Sequence, residues 1–176
     1  LSMMGAIIKA ENNNENAPIE FIGGELMSIS YDMPVASAQL KSALILAGLR
    51  SKDGIVINQP ALSRDHTERL LGFMGATIKT EGLKIQVTPS EINAVDVIIP
   101  GDISSASYWL VAGCIHQNAD LTIKNVGINK TRSGIINVLN RMGAKIKMSN
   151  KLDYSGEPVC DINITTTNLN ATTISG

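Results

Sequence analysis

Aromatic side chains make up only 3% of the 176 residues. That scarcity argues against base-stacking platforms and against the aromatic-rich surfaces of many binding modules. Charge of one sign is missing too: 15 Lys and Arg face 16 Asp and Glu for a net charge of -1, and the cations are scattered along the chain. Nothing here steers toward a polyanion, so nucleic acid is not an expected partner. The only cysteines, Cys114 and Cys160, have neither a CxxC spacing nor a histidine in a ligand pattern. Both are expected to be reduced and structural, with no metal site. No apolar run approaches the roughly 18 residues of a membrane span, and no basic stretch followed by an apolar one opens the chain. A cytoplasmic protein with no membrane partner is expected. What the sequence does have is 44% hydrophobic residues, enough for the core of one ordinary domain or two small ones, and small-molecule chemistry is the class left in favour. Neither end, Leu-Ser-Met-Met-Gly-Ala or Thr-Thr-Ile-Ser-Gly, reads as a natural terminus, so a piece of a longer chain is expected.

One phrase, Leu-x-x-Met-Gly-Ala-x-Ile-Lys, occurs three times, at residues 1–9, 71–79 and 139–147. Each copy reads as a helix end, a glycine in the left-handed conformation and then a short strand. The period, about 70 residues, is longer than that of common solenoids and predicts a few large supersecondary units. Between these anchors, residues 36–49 and 104–115 predict two helices apolar on nearly every face and buried on all sides. Strands are expected at 54–58 and 120–125, giving the order helix, strand, helix, strand, strand. Further short strands are expected at 19–22, 27–31, 83–88, 95–99 and 159–165, separated by Gly, Pro or Asn. Pro100-Gly101-Asp102, between an apolar stretch and the second helix, is the best place for a crossing between domains.

The segment Ser63-Arg64-Asp65-His66-Thr67-Glu68 opens a helix. Asp65 and Glu68 have capping-box spacing. That leaves Ser63 and Arg64 at a helix N-terminus, where free N–H groups favour an anion, so a phosphate site and a solvated surface both remain open. Ser37-Ala38-Gln39 is a polar start to the first apolar helix, and its partners are either nearby backbone or a ligand's phosphate and carboxylate. Asp102, Ser104 and Ser105 hold the matching place before the second helix, where simple N-capping is the stronger reading. Arg132, in Asn129-Lys130-Thr131-Arg132, repeats Arg64 with the shift of the last two Met-Gly-Ala phrases. Lys130 and Arg132 are therefore secondary candidates, for a second anion site or for inherited architecture. His66 and His116 lack a serine set for nucleophilic attack and are read as structural or exposed.

Four motifs in this order and spacing, residues 35–43, 63–68, 101–106 and 129–132, closely resemble 5-enolpyruvylshikimate-3-phosphate synthase, in particular the bacterial variety with a Ser-Ala-Gln triplet. The resemblance covers essentially the whole chain. It implies an α+β fold of repeated βαβαββ units with buried parallel helices, the inside-out barrel of enolpyruvyl transferases, and ligands between two domains. Residues 1–98 would be the last part of one domain and residues 99–176 the first repeat unit of the other. It further implies that Ser37, Ala38 and Gln39 contact shikimate 3-phosphate, with Gln39 also near phosphoenolpyruvate, and that Ser63 and Arg64 hold the substrate phosphate. The implied reaction moves a carboxyvinyl group from phosphoenolpyruvate to the 5-hydroxyl of shikimate 3-phosphate by addition and elimination, without metal or cofactor.

The chain also departs from the family pattern. The amino-terminal Asp-Lys-Ser motif, the upstream arginine and the carboxyl-terminal aspartate, glutamate, arginines and lysine have no counterparts in it. No catalytic residue is therefore expected within this chain, which should bind substrate phosphate weakly without turnover and associate through apolar surface or with the missing segments of the same enzyme. The competing expectations are a non-catalytic binding or scaffold fragment, or the related UDP-amino-sugar enolpyruvyl transferase.

Overall fold

The structure is a computed structural model and describes residues 1–14 and 16–174. The chain divides into two compact units, Leu1–Val95 and Asp96–Gly176.

In the first unit a 3-10 turn, Ser2–Met4, leads to a hairpin of β1 (Ile7–Ala10) and β2 (Asn16–Ile22), joined at the short turn α1 (Glu11–Asn14). A complete run then follows: β3 (Ile29–Asp32), α2 (Ala38–Leu49), β4 (Ile55–Asn58), α3 (His66–Phe73), β5 (Ile78–Glu81) and β6 (Lys84–Val87). The sheet order is β3-β4-β6-β5, with β3 parallel to β4 and β6 antiparallel to both its neighbours. This is the expected βαβαββ order. Helix α2 closes the parallel crossover and buries Leu44, Ile45 and Leu49 with Ile55, Ile57, Ile85 and Val87. A Cβ on Gly48 would lie 2.3 Å from Ile55 Cγ2, so only glycine lets the helix come this close to the strands.

The second unit repeats the run: α4 (Ile103–Ile115), β7 (Asp120–Gly127), α5 (Gly134–Arg141), β8 (Lys145–Tyr154) and β9 (Glu157–Thr165), in sheet order β7-β9-β8. Its core joins Leu110 and Cys114 of α4 to Cys160, Ile162 and Ile164 of β9. A Cβ on Gly113 would meet Ile164 Cγ2 at 2.4 Å, as at Gly48. Both cysteines are free and buried, and burial pushes both thiols up.

The threefold phrase has one structure. Gly5, Gly75 and Gly143 have φ of 96°, 97° and 91°. The following alanine N–H in each copy donates to the carbonyl of the opening leucine, Ala6 to Leu1, Ala76 to Leu71 and Ala144 to Leu139. This is the six-residue closure of a Schellman end. Each methionine carbonyl also accepts from an incoming strand or loop, at Met27, Asn93 and Asn170.

Two expectations are corrected. No strand forms over 95–99. Pro100 has no N–H to give a ladder, the Ile98 N–H goes to Ser155 Oγ (3.2 Å), and the parallel pairing that β3 makes with β4 shrinks to a single bridge between Gly101 and Val126. Within this chain, which is what the exposures describe, α2 and α4 are not covered on every face. Each lies on one sheet within its unit, leaving Leu46 exposed on α2 and Tyr108, Trp109 and Ile115 exposed on α4. Among the described residues no helix is long and apolar enough to cross a membrane.

Candidate functional site

The starts of α2 and α3 meet around a cavity of about 400 Å³ lined by Ala38, Gln39, Ser42, Arg64, His66 and Thr67. The residues reach it for local reasons. Ser37 is extended and caps α2, its Oγ accepting from the Leu40 N–H at 3.3 Å, so Ala38 and Gln39 fall in the first turn with free backbone donors. Arg64 precedes α3 directly, in the loop after β4.

Of the sequence-predicted residues, Ala38, Gln39 and Arg64 line the cavity. Ser37 and Ser63 stand beside it with their hydroxyls engaged within the protein. Ser37 Oγ also lies 3.5 Å from Gln39 Oε1, and Ser63 donates to Oε1 of the buried Gln59 at 3.1 Å. No hydrogen bond or ion pair within the chain engages the half-buried Arg64 guanidinium, among the described residues. A cation, a side-chain amide and helix-start N–H groups therefore face one space without a carboxylate among the lining side chains. That set suits a phosphate or carboxylate.

The expected capping box at α3 does not form. Asp65 occupies the cap position without a side-chain capping bond and instead pairs with Arg69 at 2.8 Å. Glu68 is drawn away by a longer-range partner: Lys41 Nζ lies 2.7 Å from Glu68 Oε1, with side-chain exposures of 1% and 9%. The same ammonium donates to the Ser63 carbonyl at 3.4 Å. Ser42 Oγ and Thr67 Oγ1, 2.6 Å apart, make a second polar tie between the helices. Sequence reasoning passes over Lys41, Ser42 and Thr67. The one charged residue of a largely apolar helix is the signal that could have found the first, because a buried ammonium demands a partner.

The second unit has the matching cavity, lined by Ile103, Ser104, Ser105, Ser107, Tyr108, Arg132 and Ile135. There the anion is internal. Asp102 caps α4, accepting from the N–H groups of Ser104 (3.1 Å) and Ser105 (3.0 Å) and from the Ser105 hydroxyl (2.9 Å). Arg132 lies 3.5 Å from the same carboxylate and donates to Ser104 Oγ. The Ser104 N–H, then the Ser105 hydroxyl and N–H, then the Arg132 charge hold Asp102 below the usual carboxylate range. N-capping is thus what Asp102 does. His116 ends α4 with its Nδ1 2.9 Å from the Gln117 carbonyl. Among the described residues no group of three His, Cys, Asp or Glu is placed to hold a metal ion.

The sequence model of the EPSP synthase (3-phosphoshikimate 1-carboxyvinyltransferase) family matches residues 1–175. A 3-phosphoshikimate 1-carboxyvinyltransferase of Syntrophomonas wolfei is 45% identical over 177 residues, which take in 100% of this chain and 41% of that protein. One of Gloeothece citriformis is 47% identical over 179 residues, 100% of this chain and 40% of that protein. The solved EPSP synthase of Acinetobacter baumannii superposes with a TM-score of 0.89 at 40% identity, covering 94% of this chain and 38% of that one. The chain therefore spans about 40% of the length of the curated relatives it matches. It belongs to the EPSP synthase (3-phosphoshikimate 1-carboxyvinyltransferase) family.

Proposed function

We propose that the cavity at the starts of α2 and α3 receives the phosphate of shikimate 3-phosphate, and that the chain supplies this binding part of carboxyvinyl transfer from phosphoenolpyruvate in aromatic amino acid biosynthesis. In that transfer the 5-hydroxyl oxygen bonds to C2 of phosphoenolpyruvate as a proton reaches its methylene carbon. Loss of a proton and of phosphate then restores the double bond in the product. The observation that carries the reading is the unpaired Arg64 guanidinium sharing one cavity with Gln39. An arginine beside helix-start N–H groups, with no carboxylate on it, is arranged for an outside anion. Ser37 and Ser63 contribute through the cap and the loop, Gln39 also lies toward phosphoenolpyruvate, and residues 1–98 and 99–176 belong to different domains of the family fold. The setting is the cytoplasm.

The acid–base steps are not assigned to this chain. Titration calorimetry of the 176-residue chain with shikimate 3-phosphate tests the binding. The expected result is measurable heat that Arg64→Ala weakens at least about tenfold, the size of a lost hydrogen bond to a charged group. Equal binding by Arg64→Ala overturns the reading, and product formed by the chain alone overturns the assignment of the chemistry elsewhere.

A further inference from the structure

Lys41 is almost fully buried and does not line the cavity, yet its ammonium reaches the loop that does. It donates to the Ser63 carbonyl, whose peptide bond carries the Arg64 N–H, and it pairs with Glu68 in the first turn of α3. One buried charge thus ties α2, α3 and the peptide in front of Arg64 together.

The fold does not require a charge there. Counted from the caps Ser37 and Asp102, the residue matching Lys41 is Ala106. Counted back from Met74 and Met142, the residue matching Glu68 is Ile136. Ala106 and Ile136 are both buried in the second apolar core. Replacing a buried ion pair by apolar residues is often neutral or stabilising, so stability alone gives no reason to keep Lys41 and Glu68. The unit that keeps them is the one whose arginine is free, and the unit that lacks them is the one whose arginine is held by Asp102 and Ser104.

We infer that Lys41 is a positioning residue for the anion site: its bond to the Ser63 carbonyl and its pairing with Glu68 fix the peptide before Arg64 so that the guanidinium stays on the Gln39 side. This rests on the anion-binding reading of the cavity. In place of the Asp102 anchor used by Arg132, the first unit anchors the arginine's backbone and leaves its charge open.

The test replaces the pair in the 176-residue chain by Lys41→Met/Glu68→Leu, which keeps the volumes close, and in parallel by Lys41→Ala/Glu68→Ile, the pair that the second unit carries. The backbone N–H order parameters of Ser63 and Arg64 are expected to fall while those of β4 are unchanged, a local loosening. The Kd for shikimate 3-phosphate is expected to rise at least about tenfold with the melting midpoint kept within a few degrees. Order parameters and affinity that stay at wild-type values in a folded double variant overturn the inference. If the loop loosens while the unaltered chain binds no shikimate 3-phosphate, the reading of the cavity falls and the hold of Lys41 on the loop stands.

Discussion

The two units share an αβαββ course, opened by the parallel strand β3 in the first and only by the Gly101–Val126 bridge in the second, and close their helices onto their sheets with the same glycine, yet they treat the mouth of the helix pair in opposite ways. In the first, the cap is Ser37, the arginine is unpaired and the helices are joined by the buried Lys41–Glu68 pair. In the second, the cap is Asp102, the arginine is paired with it and the matching interior positions are Ala106 and Ile136. Architecture therefore explains the helix starts, the glycines and even the arginine, because both units have them. What architecture does not explain is the open charge and the buried pair behind it. Comparing a repeat with its own copy separates residues that build the unit from residues that equip it.

The largest expected effect breaks the comparison at the buried pair. Lys41→Met alone leaves the Glu68 carboxylate buried without its cation, and its Oε2 already has no partner among the described residues. The expected loss is about 3–5 kcal/mol of unfolding free energy in urea, most of it recovered by adding Glu68→Leu. Ala106→Lys in the second unit, where Ile136 offers no acceptor, is expected to cost a similar amount. If Lys41→Met proves harmless, the pair is not the anchor described. Smaller effects are expected where the units agree. Gly48→Ala and Gly113→Ala each drive a methyl into an isoleucine Cγ2, at 2.3 and 2.4 Å. Each should cost about 1–3 kcal/mol. Unequal losses from the two substitutions would show that the helices are not seated alike.

Much of this was open to reading in the sequence, for reasons that can be named. The Met-Gly-Ala phrase is legible because a left-handed residue after a helix calls for glycine and the closure is local. The helices α2 and α4 are legible as helices from their length, but the face that meets the sheet is not, since an apolar surface does not say which side a sheet will cover. The apolar stretch Val97-Ile98-Ile99 has strand propensity, and pairing needs a neighbour whose backbone is free to bond. Asp65 and Glu68 have the spacing of a capping box, and the carboxylate went instead to an ammonium on another helix. Spacing along the chain carries local bonds and is silent on those between elements. For the same reason Arg64 and Gln39 could be nominated singly, while their sharing one cavity came only from the fold.

The smallest expected effect sharpens the comparison at the caps. Asp102 is held below the usual carboxylate range by the Ser104 N–H first, and then by the Ser105 donors and Arg132. A carboxyl whose folded value is depressed stabilises the fold at pH above its unfolded value, about 4, and that contribution disappears as pH falls through the lower folded value. Ser37 has no charge to lose. Acidification below about pH 4 should therefore loosen the start of α4 and spare that of α2, as amide exchange at Ser104 and Ser105 against Leu40 would show. Asp102→Ser, which gives the second unit the cap of the first, should flatten that acid dependence. It also removes the carboxylate from Arg132, leaving a serine cap, helix-start N–H groups and an open guanidinium in the cavity of about 460 Å³. If an unpaired arginine at a capped helix start is what makes the first cavity receptive, the variant should take up a second phosphate, weakly, in a titration where the parent chain takes one. A variant that still binds one would mean that freeing the arginine is not enough, and would put the weight on the buried lysine that the second unit lacks.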